Sequence, residues 1–254
     1  MLFDTHAHYD DPQFDPDRDA LLTALPQQGV GLVLVPGCTL DSSRAAVDLA
    51  HAYPHVYAAV GIHPENCHDF VPEHIDTLRR LAAEDKVVAI GEIGLDYYWP
   101  ENPSKPLQHQ TLRSQLELAA ELDLPVIIHS REAQGDMLSV LRDYPTVRGV
   151  FHCYAGSVED ARTLVRQGWM LSFNGALTFK NARKAPEVVA EIPLEHLLIE
   201  TDAPYLTPVP FRGKRNHSGY VHLVAERMAQ IKNLSVEEVE AATLENGKRL
   251  FRIP

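Results

Sequence analysis

Short, almost uninterrupted apolar runs alternate along this chain with longer stretches whose apolar residues recur every three or four positions. The runs are "LFDTH" (2–6), "GLVLVPG" (31–37), "VYAAVGIH" (56–63), "KVVAIGEIG" (86–94), "PVIIHS" (125–130), "RGVFHCY" (148–154), "WMLSFNG" (169–175) and "HLLIETD" (196–202). Several are apolar at nearly every position, which predicts strands buried on both faces of a parallel sheet. The stretches between them predict helices. "DSSRAAVDLAHAY" opens with Asp41 as N-cap, and "LQHQTLRSQLELAAEL" has helical spacing throughout. "SVEDARTLVRQG" starts at Ser157 and stops at Gly168, and "SVEEVEAATLENGKRLF" carries a Ser235/Glu238 capping box. Strand followed by helix, eight times over, predicts an α/β fold of the (β/α)₈ TIM-barrel type, as a single domain over residues 1–254. An open doubly wound sheet is the alternative. No GxGxxG follows the first strand, so it loses its usual support.

Composition narrows the function classes. Of 254 residues, 45% are apolar and 23% charged, as in ordinary globular proteins. A net charge of −12 argues against a generally basic nucleic-acid binder, so an anionic substrate needs a local positive site, from side chains or metal. Thirteen histidines outnumber three cysteines, Cys38, Cys67 and Cys153, which form no CxxC pair. That excludes a disulfide framework and a zinc ribbon, and fits a reducing cytoplasm. Asp4 interrupts the N-terminus before an apolar signal region forms, and no run is long enough for a bilayer. The expectation is a cytoplasmic protein with no membrane association and no obligate protein partner.

Active sites of such barrels form at the C-terminal ends of the strands. Those ends carry His6 and His8, then His63, Glu92, His129, His152 and Asp202. One such histidine alone is more often a satisfied core or surface residue. Ionisable groups at the ends of five buried strands, however, are costly without a shared partner, and a metal site supplies one. Alternation turns His6 and His8 to one point, where Asp202 from the last strand joins them around one ion. His129 and His152 hold a second ion, with Glu92 bridging. Mixed nitrogen and oxygen donors suit zinc, manganese or iron and leave room for magnesium. Two such ions share and acidify a water and clamp the oxygens of a displaced group, with Asp202 taking the water's proton. His63 fits a substrate-facing or buttressing role better than a core one. Alternation turns Cys153 away from the site, into packing.

In order along the chain, "DTHAH", "AIGEIGLDYY", "IIHSR", "FHCYAG" and "IETDAPYL" resemble the motifs of the TatD family of metal-dependent deoxyribonucleases, within the amidohydrolase superfamily. The likeness runs from residue 3 to the closing "ENGKRLF". It implies a (β/α)₈ barrel and a two-ion centre of magnesium, manganese or zinc held by His6, His8, Glu92, His129, His152 and Asp202, with Asp202 and Glu92 catalytic. It also implies phosphodiester hydrolysis, typically 3′-to-5′ exonuclease action on DNA, so that single-stranded DNA ends are the expected substrate. Two stretches depart from the pattern. Many relatives continue "RGKR" with Asn-Glu-Pro, where this chain has Asn216-His217-Ser218, and Glu65 of "GIHPE" stands where a second histidine is frequent. Both are expected to border the substrate groove.

Basic residues concentrate in "KNARK" (Lys180, Arg183, Lys184) after the seventh strand and "RGKR" (Arg212, Lys214, Arg215) after the eighth. Loops there often bind phosphate. Lys180, Lys214 and Arg131 are candidate phosphate contacts, and Lys184 and Arg212 belong to a solvated face. Among Tyr97, Tyr98 and Trp99, Tyr98 is expected to line the rim, either stacking bases or packing. Three readings follow: a DNA phosphodiesterase; a metal-dependent acyl or amide hydrolase such as an aminoacyl-tRNA deacylase or lactonase; and a non-catalytic metal-holding scaffold. The basic loops favour phosphate over acyl chemistry, and the complete ligand set with a carboxylate base disfavours the scaffold.

Overall fold

The computed structural model describes residues Met1–Pro254. Eight parallel strands form one sheet ordered β1 to β8, the (β/α)₈ barrel arrangement. The chain divides into two compact units, Met1–Val35 with His152–Pro254, and Pro36–Phe151. No helix is long and apolar enough to cross a membrane.

The first unit contains β1 (Leu2–Asp4), α1 (Arg18–Ala24), β2 (Val30–Pro36, whose last residue passes to the second unit) and then α6 (Val158–Arg166), β7 (Met170–Phe173), α7 (Lys184–Glu191), β8 (Leu197–Ile199), α8 (Val221–Lys232) and α9 (Val236–Phe251). β7 pairs with β8, and β1 joins β8 through the Thr5 N–H to the Ile199 carbonyl at 3.2 Å. Phe3 and Phe251 meet edge to face at 6.0 Å, both buried. Each such side chain contributes about 1.5–3 kcal/mol by leaving water. Ser157 and Ser235 cap α6 and α9 as their sequence predicts, the latter in a capping box with Glu238.

The second unit contains α2 (Leu40–Ala52), β3 (Val56–Val60), α3 (Glu73–Leu81), β4 (Val87–Asp96), α4 (Lys105–Leu122), β5 (Val126–Arg131), α5 (Gln134–Leu141) and β6 (Gly149–Phe151). Thr39 caps α2 in place of Asp41: its hydroxyl accepts the Ser42 N–H at 3.0 Å, while Asp41 pairs with Arg44 one turn on. Between β4 and β5 the backbones approach closely at Gly94, whose φ is +156°. A Cβ there would lie 1.9 Å from the His129 carbonyl oxygen. Gly94→Ala is therefore expected to cost roughly 3 kcal/mol, from strain and overpacking together. Denaturant unfolding checks this; an unchanged midpoint would mean that β4 and β5 can part without cost.

Candidate metal centre

In the first unit, β1 and β8 remain laced beyond their last ladder residues. The His8 N–H donates to the Ala203 carbonyl at 2.7 Å, the Asp202 N–H to the His6 carbonyl at 2.9 Å, and the Thr201 N–H to the buried Asp4 carboxylate at 2.8 Å. Alternation then aims His6 and His8 together. Their Nε2 atoms lie 3.1 Å apart, and Asp202 Oδ1 lies 3.8 Å from His6 Nε2 and 3.5 Å from His8 Nε2. Burial works to raise the Asp202 pKa, but the His8 hydrogen bond and the fields of His6, His152 and His8 outweigh it and hold the carboxyl below its ordinary range. His152, which the sequence pairs with His129, stacks here on His6 at 4.0 Å. Its Nδ1 faces Glu200 Oε1 at 3.6 Å, and that oxygen accepts the Cys153 N–H at 2.7 Å and the Asn174 amide at 3.2 Å.

In the second unit, Glu92 is ringed by His129, His63 and Cys38. Its Oε1 lies 3.0 Å from His129 Nδ1 and 3.4 Å from His63 Nε2, and its Oε2 faces the Cys38 thiol at 3.8 Å. His63 Nδ1 accepts the Glu65 N–H at 3.2 Å, so in the neutral ring Nε2 carries the proton and turns it to Glu92. His129 Nε2 meets Asp96 Oδ2 at 2.8 Å. Burial opposes ionisation of Asp96, yet hydrogen bonds from His129 and the Tyr98 N–H hold its carboxyl below the ordinary range. An ionised Asp96 accepts a hydrogen bond from the His129 Nε2–H, which leaves Nδ1 with a lone pair directed toward Glu92.

Both clusters fit a divalent cation. For metal bonds of about 2.1 Å, neighbouring donor atoms sit roughly 3.0–3.4 Å apart, close to the separations here. Two imidazole nitrogens 3.1 Å apart can share only one proton between them, so the His6–His8 pair offers lone-pair density to a cation. His6, His152 and Asp202 form one candidate group, and His63, Glu92 and His129 another. Asp96 and Glu200 had escaped the sequence reading. Each has a signal in hindsight, an even spacing from a ligand: Asp96 from Glu92 along β4, and Glu200 from Asp202 just past the end of β8. Asp96→Asn keeps an acceptor but loses the charge that orients His129. It is expected to weaken metal binding about 10–100-fold, measured by chelator competition. Unaltered affinity would assign Asp96 to folding alone.

Around these clusters, Arg131 lays its guanidinium 3.8 Å over the Tyr98 ring and 5.4 Å from that of Trp99. Tyr98 is 48% exposed and Trp99 44%, whereas the Tyr97 hydroxyl is held by His109 and Asp136. Lys180 and Lys214 are exposed, Lys214 with its ammonium 5.4 Å from the Phe211 ring. The Asn216-His217-Ser218 departure is anchored in the interior through Asn216 and Ser218, with His217 half-buried between them. Asn216 donates to the Thr201 and Tyr205 carbonyls, the Ser218 N–H donates to the buried Tyr9 hydroxyl, and the His217 ring packs on Tyr220. Glu65 lies half-buried beside Asp96; burial first, then the Asp96 charge, push its carboxyl up. Cys153 lines a cavity rather than the packed interior.

Comparison with known proteins places the chain. The family model described as TatD related DNase matches residues 3–252. The metal-dependent hydrolase YabD of Bacillus subtilis is 45% identical over 255 residues, covering 100% of both chains. YcfH of Escherichia coli, also a metal-dependent hydrolase, is 40% identical over 100% of this chain and 96% of its own. The crystal structure of YjjV, a TatD homolog from Escherichia coli, superposes with a TM-score of 0.93 at 33% identity, covering 100% of this chain and 98% of that one. The chain belongs to the TatD family of metal-dependent hydrolases.

Proposed function

We propose that the protein, acting as one catalytic domain over residues 1–254, is a phosphodiesterase that shortens single-stranded DNA from its 3′ end. The observation that carries this reading is the Asp202 carboxyl group beside two converging imidazoles, in a unit whose strand-end loops carry the basic residues. Lys180, Arg183 and Lys184 after β7 and Lys214 after β8 are all exposed, so an otherwise acidic protein presents local cations to an anionic substrate. Arg131, stacked on Tyr98, combines a planar cation with a ring on which a base can stack.

His6, His8, His152 and Asp202 in one unit, and Glu92 and His129 in the other, are the proposed ligands of two divalent ions: magnesium, manganese or zinc. Such ions polarise phosphoryl oxygens and acidify a water. Asp202 accepts a proton from the attacking water as its oxygen bonds to phosphorus. The bond from phosphorus to the 3′-oxygen breaks, and that oxygen takes the proton back from Asp202, releasing a 5′-mononucleotide. His63 steadies Glu92 through its Nε2 proton. Three free cysteines fit a cytoplasmic setting.

The test is cleavage of 3′-labelled and 5′-labelled single-stranded DNA with magnesium or manganese. Immediate release of labelled mononucleotide from the 3′ label, with stepwise shortening of the 5′-labelled strand, is the expected result. No cleavage by protein shown to hold metal would overturn it and turn attention to acyl esters.

A further inference from the structure

The first unit has a cavity of about 290 Å³ in front of β6 and β7 that the chemistry above does not use. It is walled by Tyr154, Phe173, Leu177 and Phe179, with Arg183 and Lys184 at its edge. Tyr154 and Phe173 meet edge to face at 6.4 Å, both buried, which gives one rigid aromatic wall. Phe179 is held from another side by the Arg212 guanidinium, 4.1 Å from its ring. The lining is therefore an apolar, ring-sided slot with two cations beside it. Arg183 and Lys184 are exposed and bound to no carboxylate, so an anionic group can reach them without displacing a partner.

Two of the residues that line the cavity are hydrogen-bonded to a neighbour of the ligand cluster. These are Cys153 and Asn174; the Cys153 N–H and the Asn174 amide both donate to Glu200, which faces His152. Cys153 directly follows His152 in the chain, so the slot lies next to the cluster. Its volume is at the small end of ligand pockets, about 300–1,000 Å³, which suits one ring system with its sugar and not a paired base. Exposed Asn181 supplies both a donor and an acceptor for a base edge. An acyl chain would use the apolar walls but leave the two cations without a partner.

We propose that this cavity is a subsite for a single nucleoside of the substrate, its base held among Tyr154, Phe173 and Phe179 and its adjacent phosphate by Arg183 and Lys184. The inference rests on the phosphodiesterase reading for its setting, but binding can test it separately. The structural logic predicts affinity from stacking, which tolerates different bases, and salt-sensitive affinity from the cations.

Thymidine 5′-monophosphate and deoxyribose 5-phosphate, which lacks the base, are titrated into the full chain by calorimetry. The expected result is binding of the thymidine nucleotide about 5- to 150-fold tighter, the effect of stacking one base. Ala182→Trp fills the cavity and should remove that preference; should it misfold by circular dichroism, Ala185→Trp fills the same space. Arg183→Ala with Lys184→Ala should weaken both ligands alike and flatten the salt dependence. Equal binding of the two ligands by wild type, or an undiminished preference in a folded cavity-filling variant, overturns the subsite. Hydrolysis of thymidine 5′-(p-nitrophenyl phosphate) by the same preparations judges the phosphodiesterase reading. Base preference without hydrolysis overturns that reading alone, and hydrolysis without base preference overturns the subsite alone.

Discussion

Asp202→Asn is expected to lower the rate of DNA cleavage on the order of 10³-fold while leaving a folded protein. The size follows from what the carboxylate does: removing a general base typically costs about 10²–10⁴-fold, and a neutral amide is also a poorer metal ligand. The fold should survive because the local backbone does not depend on the carboxylate. The Asp202 N–H binds the His6 carbonyl at 2.9 Å, and the Asp202 carbonyl accepts from Tyr205 at 2.8 Å. Acid behaviour gives a second check. The folded-state pKa of Asp202 is depressed, so its stabilisation is present above the ordinary carboxylate range and is lost as pH falls through the lower value. Metal and protons compete for the nitrogens of His6, His8, His129 and His152, because a ligand must be deprotonated to bind a cation. The acid limb of kcat/KM should therefore move to lower pH as free metal is raised. A metal-independent limb, or an Asp202→Asn enzyme with full activity, would refute the assignment; metal content and unfolding midpoint are measured alongside.

The strands and their chemistry were legible in the sequence to different depths. Period-two spacing was enough to bring His6 and His8 together, because β1 stays extended past its last ladder residue. The ends of strands were less legible. The run at 56–63 reads as strand throughout, yet β3 stops at Val60. There the backbone finds side-chain partners: Gly61 N–H donates to Ser43 Oγ, and Ile62 N–H to Gln115 Oε1. Gln115 is far along the chain, so no local pattern announces it. β4 shows the converse, running to Asp96 because Gln108 of α4 satisfies the Asp96 N–H and carbonyl, both at 2.8 Å. This longer strand puts Asp96 behind His129. The anchoring of Asn216 was illegible for a related reason: a polar loop residue shows nothing in sequence of the buried carbonyls it will serve.

The other large effect is expected at Glu92. Glu92→Gln preserves shape but replaces a charged acceptor, 3% exposed, with an amide. His63 can still donate to the amide oxygen, so the unfolding midpoint without metal should change little. His129 fares differently. Its Nδ1 lies 3.0 Å from Glu92 Oε1, with Nε2 committed to Asp96, and together Nδ1 and the carboxylate make an anionic donor pair for a cation. Losing the charge should weaken metal binding by at least about 100-fold, the upper range for a residue that merely supports a ligand. The number of ions retained per chain, by equilibrium dialysis and elemental analysis, then decides the architecture. Loss of both ions at once means that Glu92 is shared between them, as a bridging carboxylate requires. Loss of one ion makes Glu92 a ligand of the His129 site alone and sinks the bridge. Full retention of two would leave Glu92 as the acceptor that orients His63, and the ligand set would have to be drawn without it.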